Sequence, residues 1–183
     1  MNALETLITR RSCPKLLEPA PSKEQLDNML KAAVRAADHG LLKPWRFLAI
    51  EAEKRQDFGQ LMVDFALSNN PEMTKADQEK LIRKAYRAPM IVVAIASPKE
   101  SPKIPQIEQV WSAVAATQMF ITAAYAQDLG AIWRTGGVAF SEVMKQGLNL
   151  AEEEEIVGFV YLGTPQVLKP MPDTDISGIV SSW

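Results

Sequence analysis

The sequence predicts a mixed α/β protein with about four strands and one long central helix. Three observations carry this. Helical and strand-like patterns alternate along the chain. Met90–Ala96 (MIVVAIA) is an unbroken apolar run rich in β-branched residues, the mark of a strand buried on both faces. Gln106–Gln127 keeps helical spacing but is small or apolar on nearly every side, through Ala113, Ala115, Ala116, Ala123, Ala124 and Ala126. A helix with so little polar surface belongs in a core or at a subunit interface.

The elements follow in order. Ala3, Leu4, Leu7 and Ile8 give a short amphipathic helix ending near Arg10. Leu16–Pro21 carries two prolines and is expected to be extended. Ser22 and Gln25 form a capping-box pattern, after which Leu26, Met29, Leu30, Ala33 and Val34 make one apolar face. That helix is expected to fade around Asp38–Gly40. Trp45–Glu51 reads as a strand. Lys54–Leu67 places Phe58, Leu61, Met62 and Phe65 at helical spacing, and Lys75–Tyr86 is a second, mostly polar helix. Ser97–Pro105 is a proline-rich loop. Gly130 is a plausible helix C-cap, Ala131–Arg134 a short strand, and Thr135–Gly137 a turn. Ser141 caps a helix over Glu142–Leu148, and Ile156–Leu162 is the last strong strand. From Gly163 the tail has no clear period and reads as an arm (164–183) on a single domain spanning 1–183.

Composition narrows the chemistry. The chain of 183 residues has 20 Lys and Arg against 22 Asp and Glu, a formal charge of −2. A general nucleic-acid coat needs net basic surface, so none is expected. Cys13 and His39 are the only residues of their kinds. One cysteine makes no internal disulfide, and no metal-ligand spacing such as HExxH is present. No run is long enough to be a signal peptide or to span a bilayer, so a cytoplasmic location without membrane contact is expected. P-loop and GxGxxG strings are absent.

Four segments could carry chemistry. Arg10, Arg11 and Ser12 put two guanidiniums and a hydroxyl at a helix end, an arrangement suited to a phosphate. Taken alone, the string is better read as cations complementing the helix dipole. Arg35 and His39, four apart, are expected on one side of the second helix near its end. Trp133, Arg134, Thr135, Gly136 and Gly137 end a strand in a glycine turn, whose amides can approach a ligand closely. Pro44, Trp45 and Arg46 open a strand, where core packing is the commoner fate of a Trp. Glu152–Glu155 reads as a solvated acidic run.

The order of these segments is more informative than any one. TRRSCPKL, KAAVRAADH, KPWRF, the Ala-rich helix leading to LGAIWRTGG, and IVGFVYLGTP together resemble the nitroreductase family, and within it a small bacterial subgroup. The resemblance runs from Ala3 to about Pro165. It implies an α+β, nitroreductase-like fold, with a central mixed sheet of four to five strands flanked by helices, in an intertwined homodimer. It further implies FMN held between subunits and NADH or NADPH as donor. Hydride passes through flavin N5 to a small electron-poor acceptor (nitro compound, quinone or enone) in ping-pong order, and no protein residue is assigned as catalytic. Arg10, Arg11 and Ser12 match the family's phosphate and ribityl segment. Arg35 and His39 match second-helix contacts to flavin bound mainly by the other subunit, and Trp133, Arg134 and Thr135 match the third contact segment. The tail matches an arm across the partner.

Two departures accompany the match. Leu41-Leu42-Lys43 stands where many members carry amide side chains, with Lys43 a substitute donor to the flavin carbonyls. Lys169 is the tail's sole candidate for a basic phosphate contact. Two other readings stay open: an FMN-binding carrier or sensor with little turnover, and a non-flavin anion-binding protein.

Overall fold

A computed structural model describes residues 2–167, 170 and 174–183. Lys169, the expected phosphate contact of the tail, lies outside the described residues.

Helix α1 (Ala3–Thr9) starts at Asn2, which exchanges capping bonds with Glu5. β1 is the two-residue strand Leu16–Leu17. α2 (Lys23–Ala33) opens on the predicted Ser22–Gln25 capping box. Then follow β2 (Trp45–Glu51), α3 (Lys54–Asn69), α4 (Lys75–Ala85), β3 (Met90–Ala96) and α5 (Gln106–Ala126). β4 (Gly130–Arg134), α6 (Glu142–Gly147) and β5 (Glu155–Pro165) complete the order. Short 3-10 turns at His39–Leu41 and Gly137–Phe140 were not expected from periodicity.

The sheet has five strands, and β5 is its hub, pairing with β1, β3 and β4, while β2 pairs with β3. Every pairing among the described residues is antiparallel, which corrects the expected mixed sheet. The connections explain it. Two helices, α3 and α4, separate β2 from β3, and the chain comes back reversed. A single helix, α5, separates β3 from β4, so those strands run the same way, but β5 lies between them and opposes both. β5 is longer than its apolar run because β1 pairs with its end, at Leu16–Pro165 and Leu17–Thr164. The first two residues of the expected arm are therefore sheet.

Strand alternation divides the core. Met90 and Val92 of β3 and Val160 and Leu162 of β5 face α2 and α5, where Phe47 stacks on Phe120 with centroids 4.9 Å apart. Ile91, Val93, Ile95, Phe159 and Tyr161 face α3, α4 and α6, with Phe58 edge-on to Phe159 at 5.2 Å. β3 is buried along its whole length, as its composition predicts. Each such Val or Ile contributes roughly 1.5–3 kcal/mol of burial. Trp45 joins the α2–α5 side rather than offering a stacking platform.

Two expectations fail locally. α2 ends at Ala33, so Arg35 lies in a turn and His39 opens a 3-10 turn instead of sharing a helical face. Past the helix, the Asp38 carboxylate accepts from the Lys43 amide at 2.7 Å and closes a loop. Glu154, read as solvated, is buried, and Arg46 forks onto it with two 2.6 Å bonds.

Candidate functional site

Arg10 caps α1, its amide donating to Thr6 O at 3.1 Å. Thr9 Oγ1 meets Tyr125 OH at 3.1 Å, tying this end of α1 to the last turn of α5. The string then continues to Cys13, whose amide donates to Ala131 O at 2.8 Å. That bond sets Arg10–Arg11–Ser12 beside β4, whose last residue is Arg134. The first predicted segment thus leads directly onto the strand that ends in the third.

Both segments carry the same anomaly. Arg11 Nε and Arg134 Nε are buried and have no hydrogen-bond partner among the described residues. A buried donor left unpaired costs about 1–3 kcal/mol, more when it is charged. Such donors can be satisfied by an anion, since guanidinium N–H groups form charge-assisted bonds to carboxylate or phosphate oxygens.

β4 ends in the turn Thr135–Gly137. Gly136 has φ 107°, a conformation other residues rarely adopt, and it turns the chain into Gly137–Phe140. Arg134 lies over Tyr161, its guanidinium carbon 5.7 Å from the ring centroid. Burial pushes the Tyr161 phenol up to about 12, against the pull of Arg134 and Arg87, so it stays neutral at physiological pH. Trp133 points to the opposite sheet face: its Nε1 donates to Val157 O at 3.3 Å, and a Cβ on Gly158 would overlap it. Only the main chain of Trp133 is left to face a ligand beside Arg134.

A cavity of about 500 Å³ opens against this turn, between α3, α4 and the sheet. Phe65, Leu81, Phe159 and Tyr161 supply its apolar wall, and Lys84, Arg87 and Arg134 its charge. A second cavity, of about 740 Å³, shares Arg87 and Arg134 and extends to Pro14 and Lys15, just past the arginine string. Sequence reasoning missed Lys84, Arg87 and Tyr161. Lys84 and Arg87 bracket the end of a polar helix, and Tyr161 sits mid-strand; no local motif marks them.

Arg35 and His39 are not brought to this place within one chain. His39 Nδ1 contacts Glu108 Oε2 at 2.7 Å, in the first turn of α5. Thr9 contacts Tyr125 in the last turn, 17 residues later, and at 1.5 Å per residue that is about 25 Å away. Lys43 follows His39 in the same loop, its amide donating to Asp38, while Arg35, just past α2, lies part way along α5, because Asn28 of α2 bonds Gln127 at the far end of that helix. His39 and the end of α1 that carries the arginine string therefore sit at opposite ends of α5.

Comparison with known proteins bears on this arrangement. The family model described as "Nitroreductase family" matches residues 7–164. The chain is 41% identical over 167 residues to "Putative NAD(P)H nitroreductase YdjA" of Escherichia coli (strain K12), covering 91% of this chain and 90% of that protein. A nitroreductase-like family protein from Bacillus cereus has a TM-score of 0.82 at 21% identity, covering 100% of this chain and 96% of the other. NfnB from Sphigopyxis sp. strain HMH, an FMN and NADPH-dependent nitroreductase, has a TM-score of 0.78 at 15% identity, covering 100% and 99%. The subgroup resemblance carried by the motifs is borne out by the YdjA relative. With most of its length matched by the family model and by a relative at this identity, the chain belongs to the nitroreductase family.

Proposed function

We propose that this protein is an FMN-dependent NAD(P)H oxidoreductase of small electron-poor acceptors, acting in the cytoplasm as a homodimer. The observation that carries the reading is the pair of unpartnered buried donors, Arg11 Nε and Arg134 Nε. FMN brings a phosphate dianion, which such donors bind in bidentate fashion, and a flat ring with polar edges, which the main-chain amides of the turn after Arg134 can meet beside the cavity. FMN held there would supply hydride transfer from NADH or NADPH to a nitro compound, quinone or enone, in ping-pong order.

The chain's own residues do the rest. Arg10, Arg11, Ser12 and Arg134 hold the anion beside β4. The main chain from Trp133 to Gly137, Thr135 included, presents amides to the ring. Phe65, Leu81 and Phe159 keep water from the cavity. Arg35 and His39 reach the flavin of the partner subunit; α5 holds His39 far from the arginine string of its own chain. Exposed apolar side chains on α1 (Leu4, Leu7, Ile8) and on α5 (Ile107, Trp111, Val114) supply the surface for that partner. The tail, with Ile176, Ile179 and Val180 exposed, packs across it.

Purified protein is expected to be yellow or to become so with FMN, and to bleach under anaerobic NADH or NADPH. The Arg11→Ala plus Arg134→Ala variant is expected to weaken FMN binding at least tenfold to hundredfold, the loss of one or more charge-assisted bonds. Protein that takes up no FMN refutes the reading. Protein that binds FMN but turns over no acceptor after bleaching is the carrier or sensor instead.

A further inference from the structure

We infer that the cavity between α3, α4 and the sheet is the acceptor's pocket, and that Lys84 and Arg87 select an aromatic acceptor bearing an anionic substituent. This rests on the flavin reading above, in which the main chain from Trp133 to Gly137 presents amides to the ring.

The cavity's charge is one-sided. Lys84, Arg87 and Arg134 line it and no carboxylate does; the adjoining cavity adds Lys15 and again no carboxylate. In a chain with net charge −2 that asymmetry is local. Lys84 and Arg87 form no ion pair among the described residues, whereas the nearby Lys80 pairs with Asp77 at 2.8 Å. Dipole complementation at the end of α4 accounts for having cations there, but not for two of them lining a cavity that holds no counter-charge. Tyr161, beneath Arg134, is neutral and adds no negative charge at working pH.

The remaining wall sets the other half of the selectivity. Met62, Phe65, Leu81 and Phe159 bound an apolar space, and Phe65 abuts the turn, 3.3 Å from where a Cβ on Gly137 would lie. A ring resting there has the α4 cations on one side and the Thr135–Gly137 turn on the other. The ring answers to the apolar wall and the anion to Lys84 and Arg87. Arg87 is exposed and its pull is screened; Lys84 is half-buried and carries more of the discrimination.

The test uses FMN-loaded protein and two acceptors of matched shape, 4-nitrobenzoate and 4-nitrobenzamide. Binding is read first without donor, from the shift in flavin absorption, and then as kcat/KM with saturating NADH. The carboxylate is expected to win about 10- to 100-fold, the ratio one or two charge-assisted bonds give. Lys84→Met plus Arg87→Met is expected to bring the ratio near unity, and Lys84→Arg plus Arg87→Lys to restore it. Equal binding by wild type, or a preference that survives the double Met variant, overturns the inference. If the double Met variant changes the NADPH-to-NADH ratio and leaves acceptor preference intact, the cations read the donor's phosphate and the inference also falls. A yellow protein bleached by NADH but without charge preference defeats this inference alone; a protein that takes up no FMN defeats the flavin reading itself.

Discussion

Glu154 shows how much a single buried charge depends on its partner. Hydrogen bonds from Arg46 hold its carboxyl at about 2 rather than 4.5, against burial, which pushes the other way; the Ala151 amide adds a further bond. The folded state therefore binds this proton less readily than the unfolded chain does. Its contribution is fully present above about pH 4.5 and is lost as pH falls toward 2. Glu154→Gln removes the charge and leaves Arg46 poorly matched, for an expected loss of about 1–3 kcal/mol at neutral pH. Thermal melts of both proteins from pH 7 to pH 2.5 check the sign: the gap between them narrows only below about 4.5. The run Glu152–Glu155 did not reveal this, because sequence shows the charges but not the strand-opening Arg46, 108 residues away. Arg11 and Arg134 were singled out by the order of their segments along the chain, because an arginine string at a helix end, taken alone, reads as dipole complementation; Lys84 and Arg87 carry no such pattern and come together only in the cavity they line.

Elements were legible wherever their signal was internal. β3 matched its apolar run residue for residue, and α2 began at its capping box. α2 stopped early, its last turn tightening into bonds from the Arg35 and Ala36 amides to Ala32 O and Ala33 O, which no periodicity encodes. The meeting of β4 with β5 depends on a similar hidden contact. Gly158 has no side chain where the Trp133 indole crosses, and the indole is fastened to Val157 O. Gly158→Ala would drive Cβ into that indole and displace the segment leading to Arg134. The expected cost is about 1–3 kcal/mol, the usual range for overpacking, together with weaker FMN binding. Trp133→Phe should relieve it, so the double variant loses less than the sum of the single ones. Urea melts give the coupling, and FMN titration of the same four proteins shows whether the site moves with it. Additive losses would mean that the indole and Gly158 are energetically independent.

At the scale of the whole molecule, α5 acts as a spacer. It joins Thr9 and the arginine string at one end and His39 at the other, about 25 Å apart by its rise per residue. The order of the motifs in sequence gives no hint of this, because spatial distance along a helix is fixed only once its two ends are anchored. Two copies related by a two-fold axis across α5 would bring opposite ends together, with Trp111, 61% exposed, between them. The arrangement is testable by mixing damaged subunits. One chain carries Arg11→Ala and Arg134→Ala; the other carries Arg35→Ala and His39→Ala. If each site draws on both subunits, a mixed dimer has one site with both defects and one with none. If each site lies within one chain, every site stays defective. Random re-pairing makes half the dimers mixed, so roughly a quarter of all sites should regain tight FMN binding, while neither parent alone recovers any. Fluorescence titration of the re-paired sample against both parents reads that fraction directly. Trp111→Glu in both chains should abolish it by keeping the subunits apart, as sedimentation would show independently, and that loss ties the recovered sites to the α5 surface rather than to exchange of FMN between damaged chains.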